Sequence, residues 1–136
     1  MTEAQVALTT TVTTDFDDAV ARARAALAGQ GFGVLTEIDM RAALNAKLGD
    51  GAGDEVGDYL ILGACNPGFA RKAVHSYPQI GVLLPCNVVV RRAPGAEAVT
   101  IDAMNPALMV QVTAEPALTE IATEVGALLQ AALDNL

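Results

Sequence analysis

The chain contains no tryptophan, only three phenylalanines and two tyrosines among 136 residues. Large rings usually supply much of a core's buried area, so the interior has to be closed by aliphatic and alanine side chains at short range. Basic residues are also scarce. Eight lysines and arginines face sixteen aspartates and glutamates, for a formal net charge of −8. A nucleic-acid partner is therefore not expected, because a phosphate backbone is held by clustered cations. The adjacent pairs Arg71-Lys72 and Arg91-Arg92 read as solvated surface charge. The same acidity speaks against an anionic membrane surface, and the excess charge serves solubility.

Long hydrophobic runs are missing as well. The most apolar stretch, "YLILGAC", is too short to span a bilayer. The opening "MTEAQVALTTTV" carries no basic segment followed by an apolar one, so no secretory leader is expected. The expected compartment is cytoplasmic, where thiols stay reduced. There are two cysteines and one histidine. No C-x-x-C pair occurs, which removes the common dithiol motif and the zinc knuckle. Three soft ligands at most fall short of the four that a closed structural zinc site uses. No G-x-S-x-G elbow is present, and no carboxylate pair has a spacing that demands hydrolytic chemistry. "GDGAGDEVG" (49–57) lacks the Lys-Ser/Thr of a phosphate loop and the ligand spacing of a calcium loop, and reads as a plain loop.

What the chain does have is apolar material, 52% of its residues, in periodic order. Val6, Leu8, Thr10 and Val12 alternate with Ala7, Thr9, Thr11 and Thr13, which predicts a strand with one polar face. Thr14 or Asp15 caps a helix whose stripe is Phe16, Ala19, Val20, Ala23, Ala26 and Leu27. "FGVLTEID" is a second strand. Asp39 then caps a short helix through Leu48. "DYLILG" is a third strand. Asn66 and Pro67 stand as N-cap and first-turn residue of a helix over "PGFARKAVHSY". "IGVLLPCNVVVRR" is a long fourth strand in which Pro85 marks a bulge or unpaired stretch. "APGAEA" turns into a fifth strand, and Asn105-Pro106 opens a short helical piece. Glu115-Pro116 opens a last helix with Leu118, Ile121, Ala122, Val125, Leu128, Leu129, Ala132 and Leu133 on one stripe.

This order predicts one α+β domain over residues 1–136. Its terminal hairpin and half-polar first strand point to a mainly antiparallel five-stranded sheet with helices on one face. Such a sheet has a face to spare, and burying that face in a second copy is the expected use: a homodimer.

The least common residues converge on one segment, 62–90. Cys65 ends the third strand beside a helix N-terminus, a position that favours a thiolate. Cys86 follows Pro85 on the next strand, close to Cys65 if the two strands are neighbours. Both thiols are explained as small core residues, as a redox-active pair, or as ligands for zinc or copper. His75 lies on the helix after Cys65 and reads as a boundary residue that could assist such a site. Tyr59 and Tyr77 read as packing residues with wet hydroxyls. Glu37, mid-strand, faces either water or a groove where it would act as acid or base.

At "GFGVLTEIDM", "YLILGACNPGFARKAV" and "PQIGVLLPCNVVV" the sequence resembles the domain of unknown function family 302, from about residue 6 to 134. The resemblance implies a compact α+β domain related to the TATA-binding-protein fold, with a curved antiparallel sheet, and often a homodimer. It implies no particular activity. The positions it carries over are Gly63, Asn66 and Pro67 of a G-x-x-N-P turn, and Leu84-Pro85. Many members lack cysteine at 65 and 86, so the resemblance implies no thiol role common to all members.

Two functions remain open. One is a non-catalytic homodimeric module that takes a small apolar or amphipathic ligand, or a protein partner, in the concavity of its sheet, with no cofactor. The other is a thiol-based redox or metal-handling protein using Cys65 and Cys86. The candidate binding residues are Glu37, Cys65, Asn66, Pro67, His75 and Cys86, with no catalytic residue assigned.

Overall fold

A computed structural model describes residues 5–136. Met1–Ala4, the start of the stretch expected to lack a leader, lie outside the described residues. Five strands, β1 (Ala7–Val12), β2 (Gly33–Asp39), β3 (Asp58–Cys65), β4 (Cys86–Arg92) and β5 (Val99–Met104), form one sheet in the order β1-β5-β4-β3-β2. Every neighbouring pair is antiparallel. The helices are α1 (Phe16–Gly29), α2 (Met40–Leu48), α3 (Pro67–Ser76), α4 (Ala107–Thr113) and α5 (Thr119–Asp134). No helix among the described residues is long and apolar enough to cross a membrane.

Local chemistry sets the helix starts. The Asp15 carboxylate accepts a 2.8 Å hydrogen bond from the Asp18 N–H, and Asp39 accepts one of 3.0 Å from Ala42 N–H. Each satisfies a donor that the first turn leaves unpaired. Asp17 and Asp18 in the first turn of α1 add favourable charge at its positive end. Of the stripe expected on the last helix, Ile121, Ala122, Val125, Leu129, Ala132 and Leu133 are buried, Leu128 is half-buried, and Leu118 is buried in a 3-10 turn (Pro116–Leu118) just before it.

The core lies between one face of the sheet and a layer of helices led by α1 and α5. Alternate residues of the strands feed it: Leu60, Leu62 and Ala64, then Cys86, Val88 and Val90, then Val99, Ile101 and Ala103. Small alanines (Ala19, Ala23, Ala73, Ala122, Ala132) bring helices close to the strands, which answers the shortage of rings. No charged or polar side chain is buried among the described residues. The helix α2 packs mainly on β2 and β3 but buries no residue of its own, so it makes no second layer.

The fourth strand is shorter than its sequence suggested. Residues Pro78–Leu83 coil into a 3-10 helix, and pairing starts only at Cys86. Pro78 presets a helical φ at the first turn, and Pro85 has no N–H to give a ladder. Ile80 is fully buried, so the apolar run does reach the core, by way of a helical turn.

Among the described residues, the strand side chains on the other sheet face are half-buried or exposed. The cross-strand register lines up Ile38, Ile61, Val89, Asp102 and Thr9 in one row across all five strands. Beside it run Tyr59, Arg91, Thr100 and Thr11. The β2–β4 part is aliphatic in the first row, while the β5–β1 part is polar. Asp102 joins the strands there, accepting 2.7 Å from the Thr9 hydroxyl and 2.8 Å from Arg91 Nε.

Candidate functional site

The rare residues of segment 62–90 do converge. Ala64 pairs with Cys86 across the β3–β4 ladder, and Cys65, one residue on, pairs with Gly33 of β2. Cys65 and Cys86 line one small cavity with Asn66 and Pro85 on its rim and Phe32, Phe69, Met109, Ile121 and Val125 as its walls. Its volume is about 30 Å³. That is room for a water or two, far below the several hundred Å³ that enclose an organic ligand.

Two close backbone approaches flank the segment that carries the cavity. Gly63 packs under its neighbours: a Cβ placed there would strike Thr36 Oγ1 and come within 2.8 Å of Pro85 Cγ. Only a residue without a side chain lets β2 and the Pro85 turn close over β3 at this point. Pro85 itself follows a cis peptide bond. At the other end Gly31, with φ +86°, ends the α1 region, and the Asn66 amide lies against it at 3.2 Å from where a Cβ would stand.

Asn66 holds the N-cap position, and its backbone carbonyl accepts the first helical bond from Ala70 N–H at 2.9 Å. Its side chain makes no capping hydrogen bond, so sequence reasoning found the place but not the use of the amide. Pro67 opens α3 as expected, exposed, and is not part of the cavity wall.

The thiols differ in state. Cys86 is 6% exposed, and its pKa is pushed up from 9.0 to about 11, first by burial and second by the nearby Cys65 charge. Burial disfavours the thiolate because water no longer solvates it, so Cys86 is a neutral thiol at pH 7 and a poor nucleophile. Cys65 is half-buried. Both are free thiols.

His75 and Glu37 do not join them. His75 is exposed on the last turn of α3 and away from the cavity wall. Glu37 pairs with Arg24 of α1 at the sheet edge, both side chains substantially exposed. Among the described residues no group of three or more His, Cys, Asp or Glu converges as a metal site would. A zinc or copper ion at the thiols would draw only on Cys65 and Cys86 from this chain.

Gly31 is legible in the sequence as an end of the first helix, but its approach to Asn66 and that of Thr36 to Gly63 are not. Both approaches depend on pairing between segments, for which a single strand of text holds no signal.

An all-antiparallel sheet with one helical layer, a bare face and a tight G-x-x-N-P corner defines an α+β domain of a recognised kind. The family model described as "Domain of unknown function DUF302" matches residues 8–136, and the chain belongs to that family. The crystal structure of an uncharacterized conserved DUF302 protein from Bacillus stearothermophilus is similar to it at a TM-score of 0.85. That chain is 30% identical, and the match covers 97% of this chain and 98% of the other. No curated protein matches it significantly.

Proposed function

We propose that the protein is a non-catalytic homodimeric module whose working surface is the bare sheet face, taking a small amphipathic ligand or a protein partner. The observation that carries this reading is the row Ile38, Ile61, Val89, Asp102, Thr9. Its aliphatic half reaches solvent, with Ile38 48% exposed and Ile61 and Val89 half-buried, and its polar half is held by the Thr9–Asp102–Arg91 contacts. An exposed apolar strip bordered by ordered polar groups is what a docking surface requires. The cavity at the thiols is too small to compete for that role.

The test is a titration with the neutral dye Nile red. The native chain should enhance its fluorescence, and Ile61→Lys with Val89→Lys should abolish the enhancement while circular dichroism is unchanged. Enhancement that survives both substitutions, or none with the native chain, would refute the face as the binding surface.

The meeting of two thiols on one cavity favours a second reading, a redox pair. Its weakness is Cys86, held protonated near neutral pH. Oxidation by diamide in the folded state, giving an intramolecular disulfide between Cys65 and Cys86 that dithiothreitol reverses, would support it. Failure to oxidise without unfolding would remove it.

A further inference from the structure

The sheet has two edges, and they are treated differently. The outer strand β2 has a register shift between Val34 and Thr36 and carries exposed Glu37 and Asp39. Bulges and charges are the ordinary means of keeping an edge from pairing with another chain. The opposite edge, β1, has neither. Ala7–Val12 pairs with β5 residue for residue without interruption, contains no proline and no charge, and is uncharged from Gln5 to Thr14. Among the described residues no strand pairs with its outer side.

Asn105 N–H donates to the Val6 carbonyl at 2.9 Å. In an antiparallel pair, alternate residues turn both backbone groups toward the same neighbour. Val6, Leu8, Thr10 and Val12 therefore face β5, and Ala7, Thr9 and Thr11 hold N–H and C=O groups outward.

We propose that a second copy of this chain pairs with β1 antiparallel, about a two-fold axis at Thr10, joining two five-stranded sheets into one. The reading rests on the homodimer proposed above and names its seam. The pattern of β1 is self-complementary in that register. Leu8 stands opposite Val12 of the second copy on the core side, where both are half-buried against the core. Thr9 stands opposite Thr11 on the bare face, a favourable cross-strand pair. Thr9 of one copy and Thr11 of the other then exchange backbone hydrogen bonds in both directions, and the symmetry repeats the exchange. An axis at Thr9 instead would set Leu8 against Thr10. A chain of net charge −8 repels its own copy broadly, and an uncharged strand is where two copies meet at least electrostatic cost. The bare face of each copy stays open and becomes one continuous surface.

The test is sedimentation equilibrium over a concentration series. The native chain should sediment at twice 14.0 kDa. Thr11→Pro removes an outward donor and leaves the β5 ladder intact, an arrangement edge strands tolerate. It should sediment as one chain with its circular dichroism preserved. Thr11→Glu, which adds an edge charge of the sign both copies already carry, serves as the second variant and should do the same. Thr10→Cys should form covalent dimers under diamide, and Ile61→Cys should not. Two-chain mass in both Thr11 variants would overturn the seam. If Ile61→Lys alone then gave single chains, the homodimer would stand with the bare face as its interface. A native mass of one chain at every concentration would remove the homodimer itself. Pairing of β1 with an unrelated extended peptide, but not with a second copy, would likewise overturn the proposal.

Discussion

Cys86 makes the stability of the fold depend on pH in a defined direction. Its thiol titrates at about 11 in the folded chain, against 9.0 for the free group. Below 9.0 both folded and unfolded states hold the proton, and the stabilisation is fully present. Between those values the unfolded thiol ionises while the folded one stays protonated, so the unfolded state binds fewer protons and stability falls as pH rises. The gap corresponds to about 2–3 kcal/mol, at roughly 1.4 kcal/mol for each factor of ten. The perturbation is Cys86→Ala, which deletes the titrating group. The assay is urea unfolding of both chains at a series of pH values, read as the difference in stability between them. Loss of the sulfur costs Cys86→Ala a pH-independent amount, so near neutral pH the native chain is the more stable. That advantage should shrink by about 2–3 kcal/mol as pH approaches 11. Groups far from Cys86 cancel in the difference, and repeating the pair of measurements in a Cys65→Ser background removes the one thiol coupled to it. A difference that stays flat across the range would show that Cys86 is not held in a desolvated, protonated state.

Gly63→Ala should destabilise the fold by about 1–3 kcal/mol, because the added methyl collides with Thr36 and Pro85 and overpacking costs that much; combining it with Thr36→Gly should recover part of the loss in thermal unfolding. Asp39→Ala should cost about 1 kcal/mol through the lost cap on α2, read by the same unfolding measurement. With an aromatic disulfide reagent near pH 7, the half-buried Cys65 should react in the native state and Cys86 only on unfolding; assignment by Cys65→Ser checks the order. Glu37→Gln should change stability by less than about 0.5 kcal/mol, as expected for an exposed ion pair.

The elements with strong periodicity were legible in the sequence. The helix α5 announces itself through repeated threes and fours, and α1 through Asp15 and a stripe of alanines; both occur where expected. The strand–helix order and the leftover sheet face also followed from alternation. The stretch from Pro78 to Pro85 did not, because "IGVLLP" is apolar without a period, and an apolar run reaches a core equally well as strand or tight helix. The site was half legible. Two strand ends brought Cys65 and Cys86 to the same cavity as their positions suggested. His75, on the helix after Cys65, and Glu37, polar in mid-strand, were candidates by residue type and rough place, and helix phase and an ion pair with Arg24 carry them elsewhere. The contact of Thr36 with Gly63 arises from a register shift in β2, a property of pairing between strands.

Native mass spectrometry of freshly purified protein tests at once whether the chain is paired and whether it binds through its bare face. A paired module should give ions at twice 14.0 kDa, with any co-purified small molecule released by Ile61→Lys. Ions of a single chain, or a bound species that persists in Ile61→Lys and departs on Cys65→Ser, would contradict it.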